Sequence, residues 1–195
     1  MPVVGESRVV KASKLPVPPV TIRTRRAYFD CRFGQLHVRT AFPTTGGFDE
    51  QVTLICLHAA DATSRAFSRL ATELAGVRSV YAPDLPGYGE SDSSPTRSVP
   101  DAALAIADLA NDLRLRRIDL LGVQYGAEVA LALAAARPEL VRRLVLMGGP
   151  AADSSLLQPK HQRLMVDIKA YANDLSAAAA QALARQIGSF LFSQP

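Results

Sequence analysis

The sequence predicts an α/β fold: an open, mostly parallel sheet with flanking helices. Three observations lead there. Short apolar segments alternate with amphipathic ones from residue 26 to residue 147. The segments Val52–His58 and Val141–Met147 are continuously apolar, as strands covered on both faces are. Leu120 and Leu121 run into Gly122-Val123-Gln124-Tyr125-Gly126 and then an alanine-rich run, which reads as a strand, a sharp turn and a helix.

Residues 1–20, with Pro2, Pro16, Pro18 and Pro19, read as a basic, proline-containing arm. Residues 21–150 read as the core, and residues 151–195 as a partial helical cap or C-terminal helices. The first two strands are expected near residues 26–32 and 35–42, meeting at Gly34, and Pro43 to Asp49 is a loop. Val52 to His58 is the third strand. Phe67, Leu70, Ala71 and Leu74 share one face of the next helix, with Asp61 or Thr63 as its cap. Ser79 to Ala82 is a short strand, followed by a loop rich in Pro, Gly, Asp and Ser. Ser98 and Asp101 resemble a capping box for a helix from about Val99 to Leu113. Arg117–Leu121 forms a strand, Tyr125–Ala136 a helix buried on several sides that Pro138 ends, and Val141–Met147 a further strand. Beyond Pro150 the alternation stops: His161, Leu164, Met165, Ile168 and Tyr171 fit one amphipathic helix, and Leu175, Ala179, Leu183, Ile187 and Leu191 another.

Composition bounds the function. The chain has 195 residues, enough for one domain with a substantial core, and its 48% hydrophobic content is that of an ordinary globule. No apolar run reaches the length of a membrane span, and the start lacks the basic-then-apolar pattern of a signal peptide, so the expected location is cytoplasmic. Cys31 and Cys56 sit in strand-like segments and read as buried thiols. The net charge of +4 is concentrated before residue 40, where Arg23, Arg25, Arg26, Arg32 and Arg39 follow a basic arm. Without aromatic interleaving or a recognition-helix pattern beside it, that charge argues against nucleic acid as a partner. No nucleotide loop or metal-ligand cluster is present, so no cofactor and no metal site is expected.

Three loops carry a resemblance. Leu57-His58-Ala59-Ala60 resembles the His-Gly segment of the α/β-hydrolase superfamily that supplies one oxyanion-hole amide. Asp84-Leu85-Pro86-Gly87-Tyr88-Gly89-Glu90-Ser91 resembles its Asp-x-Pro-Gly-x-Gly-x-Ser loop, and Gly122 to Gly126 its nucleophile elbow. The resemblance covers most of residues 26–150. It implies a sheet in the order 1-2-4-3-5-6-7-8, here lacking the last two strands, with the start of a helical cap. It also implies that Ala60 and Tyr125 offer oxyanion-like backbone amides. His58, Asp84, Gly87, Gly89, Ser91, Gly122 and Gly126 shape the loops, and Tyr88, Leu164, Met165 and Ile168 line a pocket.

Gln124 occupies the nucleophile position. A carboxamide has no readily deprotonated oxygen or sulfur, so it cannot be activated as Ser, Cys or Asp are. The family's acid and histidine lie after later strands than residues 1–195 are expected to contain, and His161 is a weak substitute base. Three readings follow from the resemblance: a catalytically impaired or truncated hydrolase-like protein; a module binding a small apolar ligand or a protein; or the N-terminal part of a longer serine-type hydrolase acting on an ester or related acyl substrate. A sheet stopping near Met147 also leaves an edge that a second copy or another partner would complete.

Overall fold

The computed structural model describes residues 21–44, 52–148, 162–166 and 177–192. A seven-stranded mixed sheet runs through them in the order β1-β2-β4-β3-β5-β6-β7. Strands β1 (Ile22–Cys31) and β2 (Gly34–Pro43) form an antiparallel hairpin, and β2 also pairs antiparallel with β4 (Val80–Pro83). From β4 onward the neighbours β3 (Thr53–Leu57), β5 (Ile118–Val123), β6 (Val141–Met147) and β7 (Gln162–Val166) are all parallel.

The central strands are apolar on both faces because both faces are covered. Leu36, Val38, Ile55, Leu57, Leu120 and Leu144 pack beneath helices α2 (Val99–Asp112) and α3 (Tyr125–Ala136). Their strand neighbours Ala41, Leu54, Cys56, Leu121 and Val145 point the other way, toward α1 (Ser68–Leu74) and α4 (Ala177–Phe192). The alternation of Leu120 and Leu121 between the two clusters is the period of two that a strand imposes. Thr63 caps a short 3-10 turn (Ser64–Phe67) that leads into α1, and the Ser98 hydroxyl accepts from the Asp101 amide at 3.2 Å to start α2.

The chain after β6 departs from the sequence expectation. The helix expected through His161, Leu164, Met165, Ile168 and Tyr171 is absent from its middle: residues 162–166 form β7, in parallel register with β6, and Leu164 lies opposite Val145. His161, Ile168 and Tyr171 lie outside the described residues. The apolar run Leu164-Met165-Val166 is too short to fix a period, and the unpaired edge of β6 supplies the hydrogen bonds that decide it. The edge of β6 is therefore covered by the chain itself, and β7 becomes the outer strand on that side among the described residues.

The second expected helix forms as α4. It lies against the sheet beside α1, where Ile187 and Leu191 are fully buried. Its C-terminal carbonyls meet three arginines: Leu191 O accepts from Arg142 at 3.0 Å, from Arg143 at 2.8 Å and from Arg78 at 3.5 Å. Cations at that end complement the helix dipole. Beneath them Asp119, fully buried at the start of β5, accepts from Arg78 and Arg142 at 2.8 and 2.6 Å. Among the described residues no helix is long and apolar enough to cross a membrane.

Candidate functional site

Three loops leave the C-terminal ends of β3, β4 and β5. At the last of these, the backbone of Gln124 is held at φ 47°, ψ −110°, a conformation that costs a non-glycine residue on the order of 1–3 kcal/mol. Its surroundings hold it there. Gln124 N–H donates to Met147 O at 2.9 Å, and Gln124 O accepts from the amides of Ala127 and Glu128 at 2.8 and 3.2 Å. The side chain itself is exposed while Gly122, Gly126 and Ala127 around it are buried.

Gly122 and Gly126 make the bend possible. A Cβ on Gly126 would collide with the carbonyl oxygens of Leu57 and His58, and one on Gly122 would meet Gly126 O and the Ala127 backbone at 2.6 Å. Strand β5 and helix α3 thus touch each other and β3 through bare backbone, as expected of glycine at a close approach. Tyr125 is the first residue of α3, so its amide lies in the turn whose N–H groups lack helical partners. Among the described residues no turn or cap carbonyl accepts from the Ala60 or Tyr125 amide.

His58 is committed on both ring nitrogens. Nδ1 lies 2.7 Å from Ala59 O, to which it donates, and Nε2 accepts from the Leu85 amide at 2.9 Å. Burial pushes its pKa below the ordinary imidazole value, although the bond to Ala59 O and the charge of Asp84 work against that. It is a neutral brace between the loops after β3 and β4. Its ring meets Tyr88 edge-on at 5.3 Å, and Tyr88 leans on Tyr125 at 5.9 Å, forming a half-buried aromatic rim beside Gln124.

Asp84 organises the second loop. Burial raises its pKa, but donors outweigh that and hold it below the usual carboxylate range. These donors are the amides of Ser64 and Glu90, at 2.6 and 3.0 Å, and His37 Nδ1 at 2.8 Å. The Ser91 hydroxyl donates to Asp84 O at 2.7 Å and accepts from the His37 amide at 2.9 Å, and Gly87 and Gly89 turn the loop at φ 81° and 54°. The sequence expectation contains no role for His37, which the fold brings to Asp84. Its only sequence signal is a lone polar residue between Leu36 and Val38, at a strand position whose neighbours are fully buried.

Two members of the expected pocket lining, Tyr88 and Leu164, lie in different clusters on opposite sides of the sheet. Tyr88 and Tyr125 pack on the α2–α3 side, whereas Leu164 packs into the cluster under α1 and α4. Met165 is on β7, and Ile168 lies outside the described residues. Burial pushes the thiols of Cys31 and Cys56 up, and both cysteines are free.

Comparisons with known proteins agree on what this framework is. Residues 52–193 match the family model described as alpha/beta hydrolase fold. A 2-hydroxymuconate semialdehyde hydrolase of Pseudomonas sp. (strain CF600) is 46% identical over 81 residues, covering 39% of this chain and 28% of that protein. A 2-hydroxy-6-oxononadienedioate/2-hydroxy-6-oxononatrienedioate hydrolase of Escherichia coli (strain K12) is 37% identical over 128 residues, 63% of this chain and 44% of that protein. Among solved structures, an alpha/beta hydrolase from Novosphingobium aromaticivorans has a TM-score of 0.57 at 27% identity, covering 63% of this chain and 43% of that one. A hypothetical protein from Pseudomonas aeruginosa PAO1 has a TM-score of 0.55 at 30% identity, covering 67% and 47%. The chain spans less than half the length of these relatives.

Proposed function

Since the chain belongs to the α/β-hydrolase family, we propose that it keeps the elbow of that family as a structural joint and carries out no efficient acyl-enzyme chemistry. One observation carries this reading: the strained, exposed position at the bend holds Gln124. An amide side chain can donate and accept hydrogen bonds but cannot supply the attacking oxygen or sulfur. The described histidines give no substitute. His58 spends both nitrogens on backbone groups, and His37 faces Asp84 from inside the sheet. In a longer chain the residue at 124 would be the same, so the reading rests on that position.

The half-buried Tyr88 and Tyr125 rings, backed by the buried His58 ring, support a second reading, that of a module binding a small unsaturated or otherwise apolar ligand. A carbonyl or carboxylate oxygen of such a ligand would meet the Ala60 and Tyr125 amides, at the positive end of α3. The hydrolases named above suggest oxo- and hydroxy-substituted unsaturated acids as the class to try first.

The test is turnover of p-nitrophenyl acetate beside intact-mass analysis after treatment with a fluorophosphonate. The expected result is no burst and no adduct on residues 122–126. A stoichiometric acyl or phosphonyl adduct on that segment overturns the proposal.

A further inference from the structure

A cavity of about 400 Å³ lies away from the elbow, between β1, β2 and α1. Arg26, Arg39, Ser64, Phe67, Ser68 and Thr72 are among the residues that line it, and among the described residues no carboxylate does. Arg26 and Arg39 are directly opposite each other in the β1–β2 register, so both guanidinium stems rise from one face of the hairpin. Like charges in that arrangement repel. Neither forms an ion pair among the described residues. Among the described residues, Arg39 Nε is buried and has no acceptor. A buried N–H of a charged group left without an acceptor is costly, and repulsion across the hairpin adds to that cost.

An oxyanion between the two arginines removes both penalties at once. It supplies acceptors in the planar geometry that a guanidinium fork recognises, and it screens one cation from the other. The rest of the wall fixes the orientation. The buried Ser64 hydroxyl sits beside the Asp84 carboxylate without a well-aligned hydrogen bond, so that end disfavours a second negative charge. The Ser68 and Thr72 hydroxyls donate to the Arg65 and Ser68 carbonyls at 2.8 and 2.9 Å, which leaves their oxygens as acceptors. Phe67 and Ala71, both buried, give the floor an apolar surface.

We propose that this cavity binds a small organic oxyanion, a carboxylate or phosphate ester, with its charge on Arg26 and Arg39 and its carbon skeleton against Phe67 and α1. The proposal is independent of the elbow and of any chemistry there.

Calorimetric and thermal-shift titrations with inorganic phosphate and with succinate, at ionic strength held constant with chloride, test it. The expected result is saturable binding that weakens about tenfold or more in Arg39→Gln and in Arg26→Gln, the loss expected for one charge-assisted contact. Arg26 is exposed, so its variant keeps the test alive if Arg39→Gln folds poorly. The tighter of the two ligands identifies the headgroup. Without ligand, Arg26→Gln is expected to melt no lower than the parent, because it relieves the repulsion. Arg116→Gln removes the same charge from an exposed site beside β5 and should leave binding unchanged. No saturable binding of either anion, equal binding by the parent and both cavity variants, or an equal loss in Arg116→Gln overturns the proposal.

Discussion

His58 Nε2 accepts the Leu85 amide at 2.9 Å, so a single neutral imidazole ties the loop after β3 to the loop after β4. Protonation of that ring would turn the acceptor into a donor facing an N–H, within a fully buried side chain. Since folding lowers the pKa of His58 below 6.5, its contribution to stability is complete above that pH and is lost as pH falls toward the folded-state value. Denaturant midpoints measured from about pH 7 to 5 should therefore fall, with a slope of up to about 1.4 kcal/mol per pH unit from one proton. The difference between the parent and His58→Gln isolates this histidine from His37. An identical pH dependence in the two proteins would show that His58 is not the titrating brace.

The bend depends on absent Cβ atoms. Gly126→Ala places a methyl group against two backbone carbonyls that cannot move without shifting β3, and a loss of about 2 kcal/mol or more is expected. Gly76→Ala is the matched control: nothing lies within 4 Å of the new methyl, so stability should be unchanged or rise by about 0.5 kcal/mol. Urea unfolding of the two variants reads the contrast. Equal stabilities would mean that the elbow relaxes at little cost.

Much of this was legible because local and tertiary signals agree. The continuous apolar runs of β3 and β6 were readable because both faces of those strands are covered, and α3 and β6 begin and end where Gln124, Pro138 and Gly148 mark them. The loops of the site were readable for a related reason: glycine at 87, 89, 122 and 126 reports backbone geometry directly. Strand β7 was not readable, because five residues with a helical-looking neighbourhood become a strand only through the free edge of β6, a partner about twenty residues away. The pairs His37–Asp84 and Arg26–Arg39 depend on the register of β2 against its neighbours β4 and β1, which no local run of sequence specifies.

Asp119 is expected to be the most sensitive charged residue of the core. It is fully buried and answers Arg78, also fully buried, together with Arg142, and both arginines also hold Leu191 O at the end of α4. Asp119→Asn leaves a cationic cluster without its counter-charge in a place water does not reach. The expected loss is about 3 kcal/mol. A double-mutant cycle with Arg78→Met separates the pair from the individual desolvation costs. Coupling near zero, measured by chemical denaturation, would mean that Arg142 alone neutralises the aspartate.

Position 124 separates strain from chemistry. Gln124→Gly should relieve a backbone held at φ 47°, and the gain is limited to about 1 kcal/mol because glycine also raises the entropy of the unfolded chain. Gln124→Ser places a hydroxyl at the bend, but among the described residues no free imidazole is there to take its proton, since His58 is bound on both sides and His37 faces Asp84. An unassisted serine is a weak nucleophile at neutral pH. Turnover of p-nitrophenyl acetate by Gln124→Ser should therefore stay within about tenfold of the parent, far below the roughly 10⁶-fold that a nucleophile contributes in an assembled triad. A burst of p-nitrophenol stoichiometric with Gln124→Ser would reveal a general base within reach of the elbow. The joint would then have lost its chemistry through residue 124 alone.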